Sequence, residues 1–225
     1  MYWYQFWWLL LPAIVFGFIA QAMVRHTYSK YGKVAARSGL DGAQIARRIL
    51  DANGLGDVAV EEVAGELTDH YDPRSRVLRL SRAVGRGRSV AALGIAAHES
   101  GHAIQHSHSY IPLAIRNTVY PVASFGSRLG PMIVLAGLIF GLGGPLITAG
   151  IALFAFAVFF SVITLPIEFN ASSRAMSLLG SSGAMAEEEL DGARKVLNAA
   201  ALTYVASALA SVLTLLRLLL MSRNR

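Results

Sequence analysis

Four long apolar stretches constrain this chain more than any other feature. They run approximately over Trp3–Val24, Val119–Leu142, Pro145–Ile167 and Ala199–Met221. Each has about the twenty residues that a helix needs to cross a bilayer. Inside hydrocarbon every backbone polar group must be satisfied within the chain, so such stretches fold as helices. A hydrophobic share of 54% and a mean hydropathy of +0.48 are too apolar for an ordinary soluble domain. Trp3, Tyr4, Trp7 and Trp8 open the first stretch as interfacial aromatics, and Arg217 near the end of the last is placed to snorkel to a headgroup. The expected fold is a mainly α, multi-pass membrane protein.

Charge sets the expected orientation. Ala20-Gln21-Ala22 resembles a signal-peptide cleavage site, but no basic residue precedes the apolar run, so the segment reads as an uncleaved anchor. Arg25, His26, Lys30, Lys33 and Arg37 follow it, which places the N-terminus outside and the next region in the cytoplasm. Thirteen of the twenty Lys and Arg lie between Arg25 and Arg116, within a net charge of +6. With no recognition motif beside them, these charges point to anionic lipid headgroups and topological retention, not to nucleic acid. Four spans would leave the tail Ser222–Arg225 outside, where Arg223 and Arg225 run against the positive-inside rule. The absence of cysteine excludes disulfide and thiolate chemistry.

The chain is expected to form one membrane domain over 1–225, with a polar region made of residues 25–118 and 168–198. Asp41–Asn53 has helical spacing at Ile45, Ile49 and Leu50, and Asn53-Gly54 ends it. Val58–Val63 and Arg76–Ser81 read as strands, with Asp72-Pro73-Arg74 turning the chain before the second. Ser89–His106 is a helix with a small, apolar first half. Glu168–Leu179 and Ala186–Ala200 are expected as further helices, separated by Gly180–Gly183. The polar region is thus a small α+β unit.

The chemistry enters on Ser89–His106, as His98-Glu99-Ser100-Gly101-His102. Residues four apart share a helix face, so both imidazoles can reach one zinc ion, and Glu99 is then placed to take a proton from a metal-activated water. Such a site wants a third protein ligand and an open position. His108 has the spacing of a third histidine, but Gln105 stands where that pattern needs glycine. Asp191, in Leu190-Asp191-Gly192, has the form of a site-2-type intramembrane protease ligand, yet the same tripeptide occurs at Leu40-Asp41-Gly42. Glu168 is favoured. A carboxylate emerging from an apolar helix is costly unless bound, and two spans between His102 and Glu168 return the chain to the same side.

Ser89–Gln105 (SVAALGIAAHESGHAIQ), Leu67–Pro73 (LTDHYDP), Pro166–Ala175 (PIEFNASSRA) and Ala199–Leu209 (AAALTYVASAL) together resemble the bacterial membrane-bound neutral zinc metallopeptidases of the YugP-like type. The similarity runs from about Tyr28 to Leu220, and the family is similar to the HtpX and CAAX-prenyl-protease gluzincins. The resemblance implies a zincin-like cytoplasmic region, one zinc ion per chain held by His98, His102 and Glu168, and Glu99 as catalytic base. It implies a peptide or protein substrate, membrane-associated or not, cleaved at the cell membrane. Many gluzincins carry an aspartate four residues after the ligand glutamate to orient a zinc histidine. Here that place is Ser172, with Asn170 as another candidate. His70, Tyr71 and Arg174 are candidates for polarising a tetrahedral intermediate, and His106 falls one turn beyond His102, off the metal face.

The strand Arg76–Ser81 is expected to offer an edge to an extended substrate. Two other functions compete with peptidase. A catalytically idle zinc scaffold would have no need of Glu99. A transporter would place ionisable groups in several spans, whereas only Arg128 lies well inside one.

Overall fold

The computed structural model describes residues 6–142 and 144–223. Trp3 and Tyr4 of the aromatic cluster lie outside them, as do Asn224 and Arg225. Seven helices and three strands are formed among the described residues: α1 (Leu11–Tyr31, entered by a 3-10 turn at Trp7–Leu10), α2 (Gly42–Ala52), β1 (Ala59–Val63), β2 (His70–Asp72), β3 (Val77–Ser81), α3 (Arg82–Gly85), α4 (Val90–Ser107), α5 (Ile111–Ile139), α6 (Gly144–Ser181) and α7 (Glu187–Arg223). Four segments among the described residues are long and apolar enough to cross a membrane: Trp7–Tyr31, Ile111–Ile139, Gly144–Ser181 and Glu187–Arg223.

These helices outrun the apolar stretches that announce them. The first continues past Val24 to Tyr31, and α5 begins at Ile111, before Val119. Glu168–Leu179 and Ala186–Ala200 are not separate helices; they are the polar continuations of α6 and α7. Hydropathy marks where a helix would leave the bilayer, but nothing in the chemistry at Ile167 stops the helix. Pro166 sits inside α6 without ending it, as proline does where neighbouring helices support the backbone.

The chain divides into two compact units. One comprises Met1–Ala20, Ala114–Pro166 and Leu202–Arg225. Its core joins Val134, Ile147, Phe154, Ala157 and Leu218. Within it α5 and α6 approach closely: a Cβ added at Gly130 would stand 2.9 Å from the Gly150 carbonyl oxygen, and one at Gly150 the same distance from that of Gly130. The α1 face carrying Leu11, Ile14, Val15, Phe18 and Ile19 is exposed, as a lipid-facing surface would be. Arg217 does not reach outward. It is 7% exposed, with its guanidinium 4.0 Å from the centroid of the Trp7 ring. Packing on the indole face gives the cation a partner without a headgroup.

The other unit comprises Gln21–Leu113 and Ile167–Ala201. Its core includes Ile45, Leu50, Leu78, Leu80, Leu93, Ile104 and Leu179. Asp41 caps α2 in a full capping box with Gln44, and Asn53 closes it, which agrees with the sequence boundaries. The sheet order is β1-β3-β2, with β1 parallel and β2 antiparallel to β3. The expectation that Arg76–Ser81 offers a substrate edge is therefore wrong. β3 is the central strand, paired on both sides, and the edge facing away from it on that flank belongs to β2. Arg79 ties the three strands together through Glu61 at 3.4 Å and Asp72 at 3.2 Å. The Ser75 hydroxyl and the Arg74 N–H hold the Asp72 carboxyl down at about 2, so this tie is ionic at any ordinary pH.

Against this sheet lies α4, which crosses α6 with almost no gap. A Cβ at Gly101 would stand 2.9 Å from the Ala171 carbonyl oxygen and 3.3 Å from its Cα, so only glycine allows this approach. Gly101→Val is expected to force the two helices apart and destabilise the protein by about 1–3 kcal/mol. That is a loss of roughly 5 °C in apparent melting temperature in detergent. Gly17→Ala, at a position with nothing within 4 Å, serves as control. Equal melting of the two variants would show that the crossing is not tight.

Candidate metal centre

The site is built on α4. Ser89 caps it by accepting the Ala92 N–H at 3.2 Å, and Val90, Ala91, Ala92, Leu93, Ala96 and Ala97 bury its first half. The helix thereby carries His98, Glu99 and His102 into the protein interior, where the two imidazoles stand edge to face with centroids 4.8 Å apart. Glu168 arrives from α6, one turn before the Ala171 contact with Gly101, and is 3% exposed. Its Oε2 lies 3.3 Å from His98 Nε2 and 3.6 Å from His102 Nε2. Ligand atoms of these three residues all lie within 4.8 Å of one another.

The donor set fits zinc. Bond lengths of about 2.0–2.2 Å to nitrogen and oxygen imply a tetrahedral edge of roughly 3.4 Å, close to the two separations seen. The remaining imidazole nitrogens are engaged elsewhere, as metal-ligating histidines require. His98 Nδ1 lies 3.1 Å from the Ser172 hydroxyl, and His102 Nδ1 lies 2.9 Å from Gln105 Oε1. Burial alone pulls the His102 imidazole toward its neutral form, but the Glu168 hydrogen bond and the charges of Glu99 and Glu168 outweigh it. In the metal-free protein its pKa is raised above the ordinary 6.5. The pocket thus attracts positive charge at the point where the two Nε2 atoms converge.

Glu99 is 9% exposed, and its Oε2 accepts the Tyr71 backbone N–H at 3.1 Å. Three-residue β2 thus touches the carboxylate between the two histidines. The Tyr71 hydroxyl reaches His106 Nδ1 at 2.9 Å, with ring centroids 5.8 Å apart.

The other candidates for the third ligand fall elsewhere. Asp191 is half exposed and bonds Lys195 one turn on, at 2.5 Å, as a solvated helix pair. His108 is the exposed C-cap of α4. Among the accessory candidates, His70 is exposed with its Nδ1 on the Thr68 carbonyl, and Arg174 donates to Asn170 Oδ1 at 2.8 Å. Ser172 does face a histidine, as its spacing suggests. Sequence reasoning passed over Gln105 and noticed it only as a missing glycine. Its position three residues after His102, on the same helix face, was the signal available. It also passed over β2, whose three residues are too few for a periodic pattern.

Comparison with known proteins finds relatives over almost the whole chain. A family model described as "Putative neutral zinc metallopeptidase" matches residues 6–223. A protein of Bacillus subtilis (strain 168), "Putative membrane protease YugP", is 51% identical over 216 residues, which cover 96% of each chain. No solved structure matches. The matched region takes in α4, Glu168 and all four apolar helices, and the chain belongs to this family of neutral zinc metallopeptidases.

Proposed function

We propose that the chain is a zinc-dependent endopeptidase of the cell membrane, acting as one domain, with one zinc ion per chain held by His98, His102 and Glu168. The observation that carries this reading is the convergence of two imidazole Nε2 atoms on one buried carboxylate oxygen, with a second carboxylate, Glu99, beside them. Zinc held there would supply a Lewis acid that polarises the scissile carbonyl and makes a water acidic enough to attack it near neutral pH. Glu99 receives the proton of the attacking water and delivers it to the leaving amine nitrogen. Because its Oε2 is held by the Tyr71 N–H, the transfer falls to Oε1.

Glu99→Gln is expected to bind zinc like wild type and to lose about 10²–10⁴-fold in the rate of cleavage of an unstructured protein by the detergent-purified enzyme. If both proteins hold zinc and neither cleaves a broad substrate panel, the idle zinc scaffold replaces this reading.

The substrate is a peptide or protein, from the membrane or its surroundings, that lies extended along β2. Among the described residues β2 pairs with β3 alone, and the Tyr71 N–H points from β2 toward Glu99. Main-chain hydrogen bonds to that edge would bring a scissile bond beside the base. A peptide N-methylated on the amides flanking its cleavage site should compete about two- to tenfold worse than its parent, the equivalent of one lost hydrogen bond. Equal competition would remove the strand-addition mode.

The catalytic region faces the cytoplasm, on the argument of the basic residues that follow the first span. With no native cysteine to interfere, Arg48→Cys, at an exposed position of α2, reports this directly. A membrane-impermeant maleimide should label it in inverted vesicles and leave it unlabelled in intact cells. Labelling in intact cells would reverse the orientation.

A further inference from the structure

Gln105 is fully buried between α4 and α6 and uses its whole amide. Its Oε1 faces His102 Nδ1 at 2.9 Å, and its Nε2 faces both the Ile167 carbonyl and Asn170 Oδ1, each at 2.9 Å. Arg174 Nε approaches the same Asn170 oxygen at 2.8 Å. Amide groups and imidazoles are ambiguous taken singly, because oxygen and nitrogen can exchange places and the ring proton can sit on either nitrogen. This chain of contacts is not, because both of its ends have one sense only. A guanidinium N–H only donates, so the Asn170 atom it meets is the oxygen. A main-chain carbonyl only accepts, so the Gln105 atom on Ile167 and Asn170 is the NH2. The Gln105 atom facing His102 is then its oxygen, which requires a proton on Nδ1. A neutral imidazole carries one ring proton, so Nε2 keeps its lone pair, and Nε2 is the atom turned toward Glu168.

We propose that Gln105, oriented by Asn170 and Arg174, is a positioning residue that holds His102 as the Nδ1–H tautomer, with Nε2 ready to ligate the metal. The proposal rests on zinc binding at His98, His102 and Glu168. It also separates the two histidines by kind. Ser172 can rotate its hydroxyl to donate or to accept, so it imposes no tautomer on His98. His102 is set by a rigid amide that links the histidine helix to the glutamate helix. The same amide therefore fixes both the protonation pattern of one ligand and the seating of the residue that precedes another, Ile167 before Glu168.

Gln105→Met keeps the side-chain length and removes the amide. In the full-length, detergent-purified protein, zinc affinity measured by competition with a chelator should fall about 10- to 100-fold. The second readout is the ¹⁵N histidine spectrum of the zinc-free protein, recorded at a pH high enough that the His102 signals no longer change with pH. Wild type should show His102 protonated on Nδ1, and Gln105→Met a mixture of both tautomers. Arg174→Met, on a partly exposed residue, should shift both readouts the same way by a smaller amount. Arg174→Lys should behave as wild type, because an ammonium also only donates. Unchanged zinc affinity in Gln105→Met, or His102 still wholly Nδ1–H in it, would overturn the proposal. Should Gln105→Met not fold, an Arg174→Met protein identical to wild type in both readouts would overturn it equally. A wild type that binds no zinc would sink the metal reading instead, while the tautomer spectrum still tests what Gln105 does.

Discussion

Burying Glu168 against two imidazoles is the constraint around which the unit carrying the candidate metal site is arranged. A carboxylate that is 3% exposed gives up its hydration, and a buried charge is tolerated only where opposite charge or directed hydrogen bonds replace the lost water. The two Nε2 atoms at 3.3 and 3.6 Å do so only if α4 and α6 approach backbone to backbone. That approach needs Gly101, the residue just before His102, to carry no side chain where it meets Ala171. The composition of the motif thus follows from packing as well as from chemistry: the histidines face the carboxylate, and the glycine lets it come close.

A second constraint places Glu99, the proposed base. Glu99 lies on the same turn as the two histidines but must address a different partner, and the Tyr71 N–H provides one. A strand of only three residues would not hold that position by itself. β2 is held because its turn is locked by the Asp72 carboxylate, which bonds Ser75 and Arg74, and because Arg79 on the central strand bridges Asp72 and Glu61. At the other end Ser81, fully buried, gives both its N–H and its hydroxyl to Asp69, the residue before β2. These contacts leave the small sheet few ways to slip in register, and so they fix where the Tyr71 N–H points.

Much of this was legible in the residues, and the rest was hidden for identifiable reasons. The apolar stretches, the helix Asp41–Asn53 and the i, i+4 histidines each carry a periodicity that one local rule can read. Glu168 was legible because a carboxylate at the end of an apolar run has few inexpensive environments. The order of the sheet was not, since pairing partners leave no periodic mark. β3, with its apolar residues, looked like a strand with an edge to offer, when its burial on both faces marked it as central. The continuity of α6 was obscured because hydropathy changes at Ile167 while helix propensity does not. Gln105 was overlooked for a related reason: a neutral amide stands out only once its three partners, from two distant parts of the chain, are seen around it.

Glu168, the proposed third ligand, is therefore supplied by a helix, not by a loop, and this bears on how the site would respond to a metal. A loop ligand can be drawn in by an ion at small conformational cost. Glu168 is carried by a 38-residue helix whose neighbouring residues Ile167, Asn170, Ala171 and Ser172 all contact α4, so it cannot move without moving them. Forming the metal site and packing α4 on α6 are then one event. Zinc held by the assembled site and not by separated helices would stabilise that packing by mass action. Conversely, the hydrogen bonds of Gln105 and Ser172 hold the three donors near their bound separations before any ion arrives, so little reorganisation is left for binding to drive. The helix contact, the amide that spans it and the metal act on the same degree of freedom, and that shared dependence is why a change at Gly101 or Gln105, neither of which supplies a ligand, should be felt at the metal.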